Sequence, residues 1–429
     1  MGLKNNVNQI TNSEFWKTGT LEFYIASVMM LLMPVYHWYL TPFMILWGLI
    51  WFLKIREKIS DVHNAHPLQK LLFFSFIIFF TWQLIGMFYS DDLNDGLRNI
   101  TLRLPLLLFP LVLSSPGDKI KRKIRLLLNI FAFTTFLFIV TCFIYALIRS
   151  LDLEHAAITF NPHPAEYPWL NYFYGSYFAI FQHPSYLSMY ALLSAFIAFE
   201  SFLKKSDSTL YSYFWLLAGI ILLASVYLLS SRAAILASII IVPIYLIHKF
   251  IQRDLKKIGL IGVGLCIILL FTIFTTNPRF KSLLKNESGK ELIDKTRNEA
   301  RISLWESAYS IIRDNLLIGV GTGDIQNELN KVYVRSDNDE LTKVENLNTH
   351  NQFLEITAEN GIIGLILFLA IFVIIIFISI RGRNLIYLVF IAIVFFSFLF
   401  ETMLNRLAGL AFFSFFSFML SDLNKYNVK

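Results

Sequence analysis

Charge is what this sequence has least of. Lys, Arg, Asp and Glu make up 16% of its 429 residues, where soluble globular chains average about 25%. That deficit, beside 56% hydrophobic residues and 42 phenylalanines, excludes an ordinary water-soluble domain. The two cysteines, Cys142 and Cys266, both lie inside apolar runs, so no disulfide framework and no zinc spacing is expected. The polar start "MGLKNNVNQITNSEFWKTG" lacks the layout of a cleavable signal peptide, and "MGLKNN" lacks the Ser or Thr that myristoylation requires. No internal repeat or low-complexity linker divides the chain, so one integrated membrane domain is the simplest organisation. The net charge of +7 would suit nucleic acid if it were clustered. It is instead spread over short loops, and no nucleic-acid partner is expected.

What is present is apolar length. Segments near 21–36, 38–53, 71–89, 100–115, 126–148, 184–203, 211–229, 233–248, 258–275, 361–380, 384–400 and 405–421 approach the roughly 20 residues that span a bilayer. The loops "KIREKISDVHNAHPLQK", "PGDKIKRKIR", "KKSD", "HKFIQRDLKK" and "RGR" follow every second span and are all basic, whereas "SDDLNDGLRN", "SSR" and "ETMLNR" are acidic or nearly neutral. Basic short loops stay in the cytoplasm. The expectation is an all-α polytopic membrane protein with about twelve transmembrane helices and both termini cytoplasmic. Residues 1–275 would hold spans 1–9, 276–360 a large external helical loop, and 361–429 spans 10–12. A loop of that length is usually functional. Within it, Ile302, Trp305, Tyr309, Ile312 and Leu316 of "RISLWESAYSIIRDNL" recur at helical spacing, which predicts a helix with that face apolar.

Span parity places several polar residues at the external face. His350, in "NTHNQFLEITAENGIIGLILFL", stands just before an apolar run and is either a solvated loop residue or a base held over the bilayer. Arg232, in "SSRAAILA", is either an anchor that snorkels to headgroups or a fixed cation above an anionic ligand. Arg301 opens the helix of the external loop. Arg103, in "NITLRLPLLLFP", sits in the first turn of a span, where charge is usually paired or functional. Aromatics surround His183 in "WLNYFYGSYFAIFQHPSYLSMY"; such a belt marks an interface, and aromatic faces also stack on sugars. Glu401, Asn405 and Arg406 meet at the outer junction of the last two spans, as an ion pair or as support for the site. "IGVGTGD" has no Lys-Ser/Thr and no preceding strand, so it reads as a turn and not a nucleotide loop. Asp337 and Asp339 in "SDNDE" have a spacing that can hold a divalent metal, but such acidic loops are common. Several arginines and a histidine at one membrane face suit an anionic headgroup whose tail lies in lipid, since arginine forks match diphosphate oxygens.

"SSRAAILA", "RISLWESAYSIIRDNLLIGVGTGD" and "THNQFLEITAENGIIGLILFL", in that order, resemble the O-antigen ligase / O-antigen polymerase family over about 225–421, and "ETMLNRLAGLAFFSFFSFML" is similar to the family's ending. "SDDLNDGLRNITLRLPLLLFPL" adds a weaker likeness. The resemblance implies a membrane-embedded glycosyltransferase of the bacterial inner membrane, with its active site on the periplasmic side. It would transfer a glycan from undecaprenyl diphosphate to an acceptor such as lipid A-core, without metal or other cofactor. The family's essential residues fall on Arg232, Arg301 and His350. Arg232 and Arg301, with Arg103, would hold the diphosphate, and His350 would activate the acceptor hydroxyl. His183, Glu401 and Arg406 are weaker candidates for supporting or acceptor roles. A polymerase or a protein O-glycan ligase would use the same donor. A transporter or flippase would place its charges near the bilayer midplane instead.

Overall fold

Each apolar run expected from the sequence is a helix, apart from 258–275, which lies outside the described residues. The computed structural model describes residues 19–152, 157–161, 171–204, 208–252, 292–335 and 347–421. Its helices are α1 Thr20–Leu32, α2 Leu40–Leu53, α3 Ile55–Asn64, α4 Pro67–Phe88, α5 Leu93–Leu102, α6 Pro105–Leu113, α7 Asp118–Arg122 and α8 Ile124–Ser150. There follow α9 Pro184–Leu203, α10 Thr209–Leu228, α11 Arg232–Gln252, α12 Leu292–Asp314, α13 Ile325–Arg335, α14 Gln352–Arg381, α15 Leu385–Phe400 and α16 Leu407–Met419. A two-residue antiparallel pair, Leu151–Asp152 with Ala157–Ile158, interrupts them. Seven described helical segments are long and apolar enough to cross a membrane, with α5 and α6 counted together. The segment His37–Leu53 bends by 84° into the amphipathic α3, and α1, α15 and α16 are shorter apolar helices.

In lipid the backbone must satisfy itself, which favours helices. Polar side chains within the spans follow the same rule: Thr135 and Ser417 donate to the carbonyls of Phe131 and Phe413 at 2.7 and 2.6 Å. The phenylalanines fill the centre. Every residue of α16 is buried, and its Phe415 and Phe416 meet Phe109 of α6 and Phe131 of α8 edge-on at 5.3 and 4.9 Å. Rings of this size fit helix to helix by shape and dispersion, the attractions that remain when the solvent is itself apolar.

The two ends of the bundle differ. At one end Lys54 and Lys58 converge on the buried Glu22 at 3.4 and 3.3 Å, among the basic loops. At the other end meet the turns near 33–39, 89–92, 171–183, 229–232, 315–324, 347–351 and 401–406.

Two helices are broken at that second end. α14 contains Gly361 at φ 70°, ψ −174°, so Gln352–Asn360 and Ile362–Arg381 are separate helical pieces. A Cβ at Gly361 would run into the Leu317 backbone, and one at Gly319 (φ 72°) into that of Glu359; only glycine permits so close an approach. Backbone groups freed by the break find partners in the loop after α12 and in α4. Ile362 N–H donates to Leu316 O at 2.8 Å, Gly321 N–H to Glu359 O at 2.9 Å, and Trp82 Nε1 to Asn360 O at 2.9 Å. The glycine-rich "IGVGTGD" therefore lies as a turn against the broken helix.

The second break falls at Arg103, between α5 and α6, where the charge is paired, as its place in a span requires. Arg103 is 4% exposed, and both its guanidinium nitrogens meet the Glu359 carboxylate, Nη2 at 2.9 Å from Oε2. Helix α12 holds two corrections. It begins at Leu292, so Arg301 lies well inside it. Its buried side is Leu304, Ala308, Ile311 and Ile312, packed with Leu329 and Tyr333 of α13 and Ala358 of α14. Of the residues expected on the apolar face only Ile312 is buried; Ile302, Trp305, Tyr309 and Leu316 are exposed.

Candidate functional site

The first turn of α14 organises the site end. Asn351 caps it, its Oδ1 accepting from the amides of Phe353 and Leu354 at 3.0 and 3.1 Å, as expected for a side chain at that position. Glu355, one turn in, reaches back to the Thr349 hydroxyl at 2.8 Å and amide at 3.2 Å. Its other oxygen accepts from Asn405 Nδ2 at 2.9 Å, and Gln352 Oε1 accepts from Leu404 N–H at 2.7 Å. The turn between α15 and α16 is thereby tied to the turn that carries His350. Trp305 of α12 donates to Thr349 O at 3.1 Å and brings the helix of Arg301 into the same group.

Glu401 is the hub. Its Oε2 is 3.0 Å from His350 Nδ1, and its Oε1 is 3.8 Å from Arg301 Nη2 and accepts from Ser185 Oγ at 3.4 Å. Burial opposes ionisation of the Glu401 carboxyl. The hydrogen bond with His350 and the nearby His350, His183 and Arg301 outweigh it and hold the group below its ordinary range. A carboxylate facing Nδ1 favours the proton on that nitrogen and leaves Nε2 as the lone-pair atom. His350 and Arg301 keep partial exposure, their side chains 31% and 25% accessible.

His183 is exposed, caps α9 by accepting from Ser185 N–H at 3.3 Å, and lies within Coulombic reach of Glu401. Arg232 opens α11 at the same end, half-buried and two residues after Ser230, whose hydroxyl bonds Tyr174 Oη at 2.7 Å. Arg406 is exposed at the start of α16. Arg103 is not brought to Glu401; its fork is filled by Glu359. "SDNDE", with Asp337 and Asp339, lies outside the described residues.

Phe181, Ser230 and His350 hold φ near +50° (57°, 54° and 49°). Such values are uncommon outside glycine and gather where function constrains the chain. Each stands in a turn that carries a candidate, His183, Arg232 or His350.

Glu355 and Glu359 escaped assignment from the sequence. Their signal was present: two carboxylates four residues apart stand immediately before the apolar run at 361–380, where charge is costly unless partnered.

A family model described as O-antigen ligase matches residues 217–369. That segment is similar to the O-antigen ligase family. It contains Arg232, Arg301, His350, Glu355 and Glu359 and ends before Glu401. An uncharacterised protein of Haemophilus influenzae is 27% identical over 346 residues, covering 79% of this chain and 78% of the relative. The ligase-family segment thus supports a glycan-transfer role at a membrane.

Proposed function

We propose that this protein transfers a glycan from undecaprenyl diphosphate to an acceptor hydroxyl at the periplasmic face of the inner membrane, with lipid A-core as the acceptor. The observation that carries this reading is the convergence of His350, Glu401 and Arg301, from three distant segments, at one end of a membrane bundle. Glu401 orients the His350 ring, and Nε2 takes the proton of the acceptor hydroxyl. The acceptor oxygen forms its bond to the anomeric carbon as the bond from that carbon to the diphosphate oxygen breaks, and the electron pair leaves on the diphosphate. Arg301 and Arg232 stabilise that developing charge, which does most for the rate where donors are fixed in advance. A base near neutral pH suits a weakly nucleophilic hydroxyl. Arg103 serves as a brace that joins α5 and α6 to the broken α14.

The orientation rests on the basic loops at the Lys54–Lys58 end. A reporter active only outside the cytoplasm should be active when fused after Asn330 and silent after Arg125; the reverse would place the site on the wrong side. The decisive experiment deletes the gene and examines surface polysaccharide. Full-length lipid-linked chains without ligated product support the ligase. Single repeat units point to a polymerase with the same donor, and an unchanged profile removes both.

A further inference from the structure

Helix α12 carries a second apolar stripe that the protein leaves uncovered. At about 3.6 residues per turn, Ile302, Trp305, Tyr309 and Leu316 fall within about 60° of one another, apart from the buried face of Leu304, Ala308 and Ile311. Tyr309 is 66% exposed, and the stripe runs on into the exposed Leu317 and Ile318. Glu306 and Arg313 edge it on one side, and Asp314 stands on the far side of the helix, all three exposed. A contiguous apolar patch bounded by charge marks a surface that something covers.

Contacts at the two ends of the stripe fix its depth. Arg301 reaches Glu401 at 3.8 Å, and Glu401 is the residue that ends α15. About 22 Å of helix further on, Leu316 O accepts from Ile362 N–H at 2.8 Å, and Ile362 begins the apolar piece of α14. Tyr89, which ends α4, donates its hydroxyl to Ile318 O at 2.6 Å. Helix α14 packs against both α4 and α15, so these helix ends stand at one level, the boundary of the bilayer. α12 is tied to that level at both ends and therefore runs along the membrane surface. The stripe is also continuous with side chains that face lipid. Phe88, beside Tyr89, is 75% exposed, and Ile366, one turn into the apolar piece of α14, is 59% exposed.

We propose that α12 is an interfacial helix whose stripe from Ile302 to Ile318 inserts into the lipid leaflet at the site end. Helices of this kind bury aliphatic and aromatic side chains at the boundary of headgroups and acyl chains and keep their charges on the other side. Tyrosine and tryptophan favour that depth. The inference goes beyond glycan transfer and needs only the membrane fold. Its consequence is that lipid touches the helix of Arg301 directly, so a helix expected in an external loop forms part of the membrane surface.

The test is nitroxide accessibility in the full-length protein in phospholipid nanodiscs, on a cysteine-free background (Cys142→Ala, Cys266→Ala). Labels are attached singly at Ile302→Cys, Tyr309→Cys and Leu316→Cys. Ile366→Cys serves as the lipid reference and Asp314→Cys as the water reference. Oxygen concentrates in hydrocarbon, and a nickel chelate stays in water. The ratio of oxygen to nickel accessibility at the stripe positions should approach that of Ile366→Cys and exceed that of Asp314→Cys. Ratios that match Asp314→Cys would place the stripe in water and overturn the proposal. Low accessibility to both reagents would mean that protein covers the stripe, from this chain or a second copy, and would overturn it equally. The native side chains at all these positions are exposed, so a label meets open space. The three stripe positions report the same property independently, and the result is read from those that keep the wild-type melting temperature.

Discussion

Two arginine–glutamate pairs serve the same end of this protein in opposite ways. Arg103 and Glu359 are 4% and 0% exposed and lock fork to carboxylate. Arg301 and Glu401 stand 3.8 Å apart, 25% and 21% exposed, and Glu401 shares itself with His350 and Ser185. The first pair has used up its bonding capacity where two helices break. The second is shared among several partners and reaches solvent. The same residue types thus make a brace when sealed from solvent and a candidate site when open to it, and the difference can be broken experimentally.

The largest effect is expected at the group the loose pair supports. His350→Ala should lower transfer about 10²–10⁴-fold, the usual value of general-base catalysis, while the lipid-linked donor still binds. His350→Gln keeps hydrogen bonding but takes up no proton near neutral pH, and it should be as inactive. Full activity in His350→Gln would reduce the histidine to a positioning group.

The brace comes next, and its signature is stability. Arg103→Ala strands a buried carboxylate and should cost about 3–5 kcal/mol, read as a large drop in melting temperature in detergent. Replacing both partners by leucine should recover much of it, because two apolar groups leave no orphan charge. Arg301→Ala should change melting little. Comparable losses from the two alanine variants would erase the distinction between brace and site.

How much of this was legible in the sequence follows from the same contrast. Apolar length was legible, because the bilayer demands it: eight apolar runs before 253 and three after 352 are helices near their expected places. Span parity put His350, Arg301 and Glu401 at one face, but nothing in it foretold their contact. The Arg103–Glu359 contact did not, since 256 residues separate the partners and nothing local to "RLPLLL" names the other. The break at Gly361 was hidden too, because "AENGIIGL" reads as unbroken helix until the Leu317 backbone is seen against it. Which apolar face of α12 packs against protein was not legible, for a physical reason. Two apolar stripes run along that helix, and beside a membrane the exposed one need not be buried in protein.

A smaller effect separates charge from geometry at Arg301. If its fork grips the diphosphate, Arg301→Lys should lower transfer about ten- to hundred-fold, the loss of one bonded charge worth about 1.5–3 kcal/mol. Lysine offers a point charge without the paired geometry. Donor affinity should fall with it, in contrast to His350→Ala. Wild-type transfer by Arg301→Lys would make the side chain a general counter-charge to Glu401.

The smallest effect tests the hub through pH. Burial works against the Glu401 carboxylate, but His350, His183 and Arg301 more than compensate, so its proton is held less tightly folded than unfolded. For a carboxyl shifted downward the unfolded state binds more protons across the titration, so stability rises with pH there. The contribution is fully present above the unfolded value of about 4.3 and is lost as pH falls through the lower folded value. Wild-type protein should therefore lose more stability than Glu401→Gln when both are taken from neutral pH down through that window, with melting in detergent as the readout. The glutamine variant carries no charge to titrate, so this part of its profile should be flatter. The Arg103–Glu359 brace is present in both proteins and cancels in the difference. Parallel melting curves for the two proteins, from neutral pH to below the unfolded value, would show that the carboxylate at the hub is not stabilised by its cationic neighbours, and the contrast between the two pairs would then rest on burial alone.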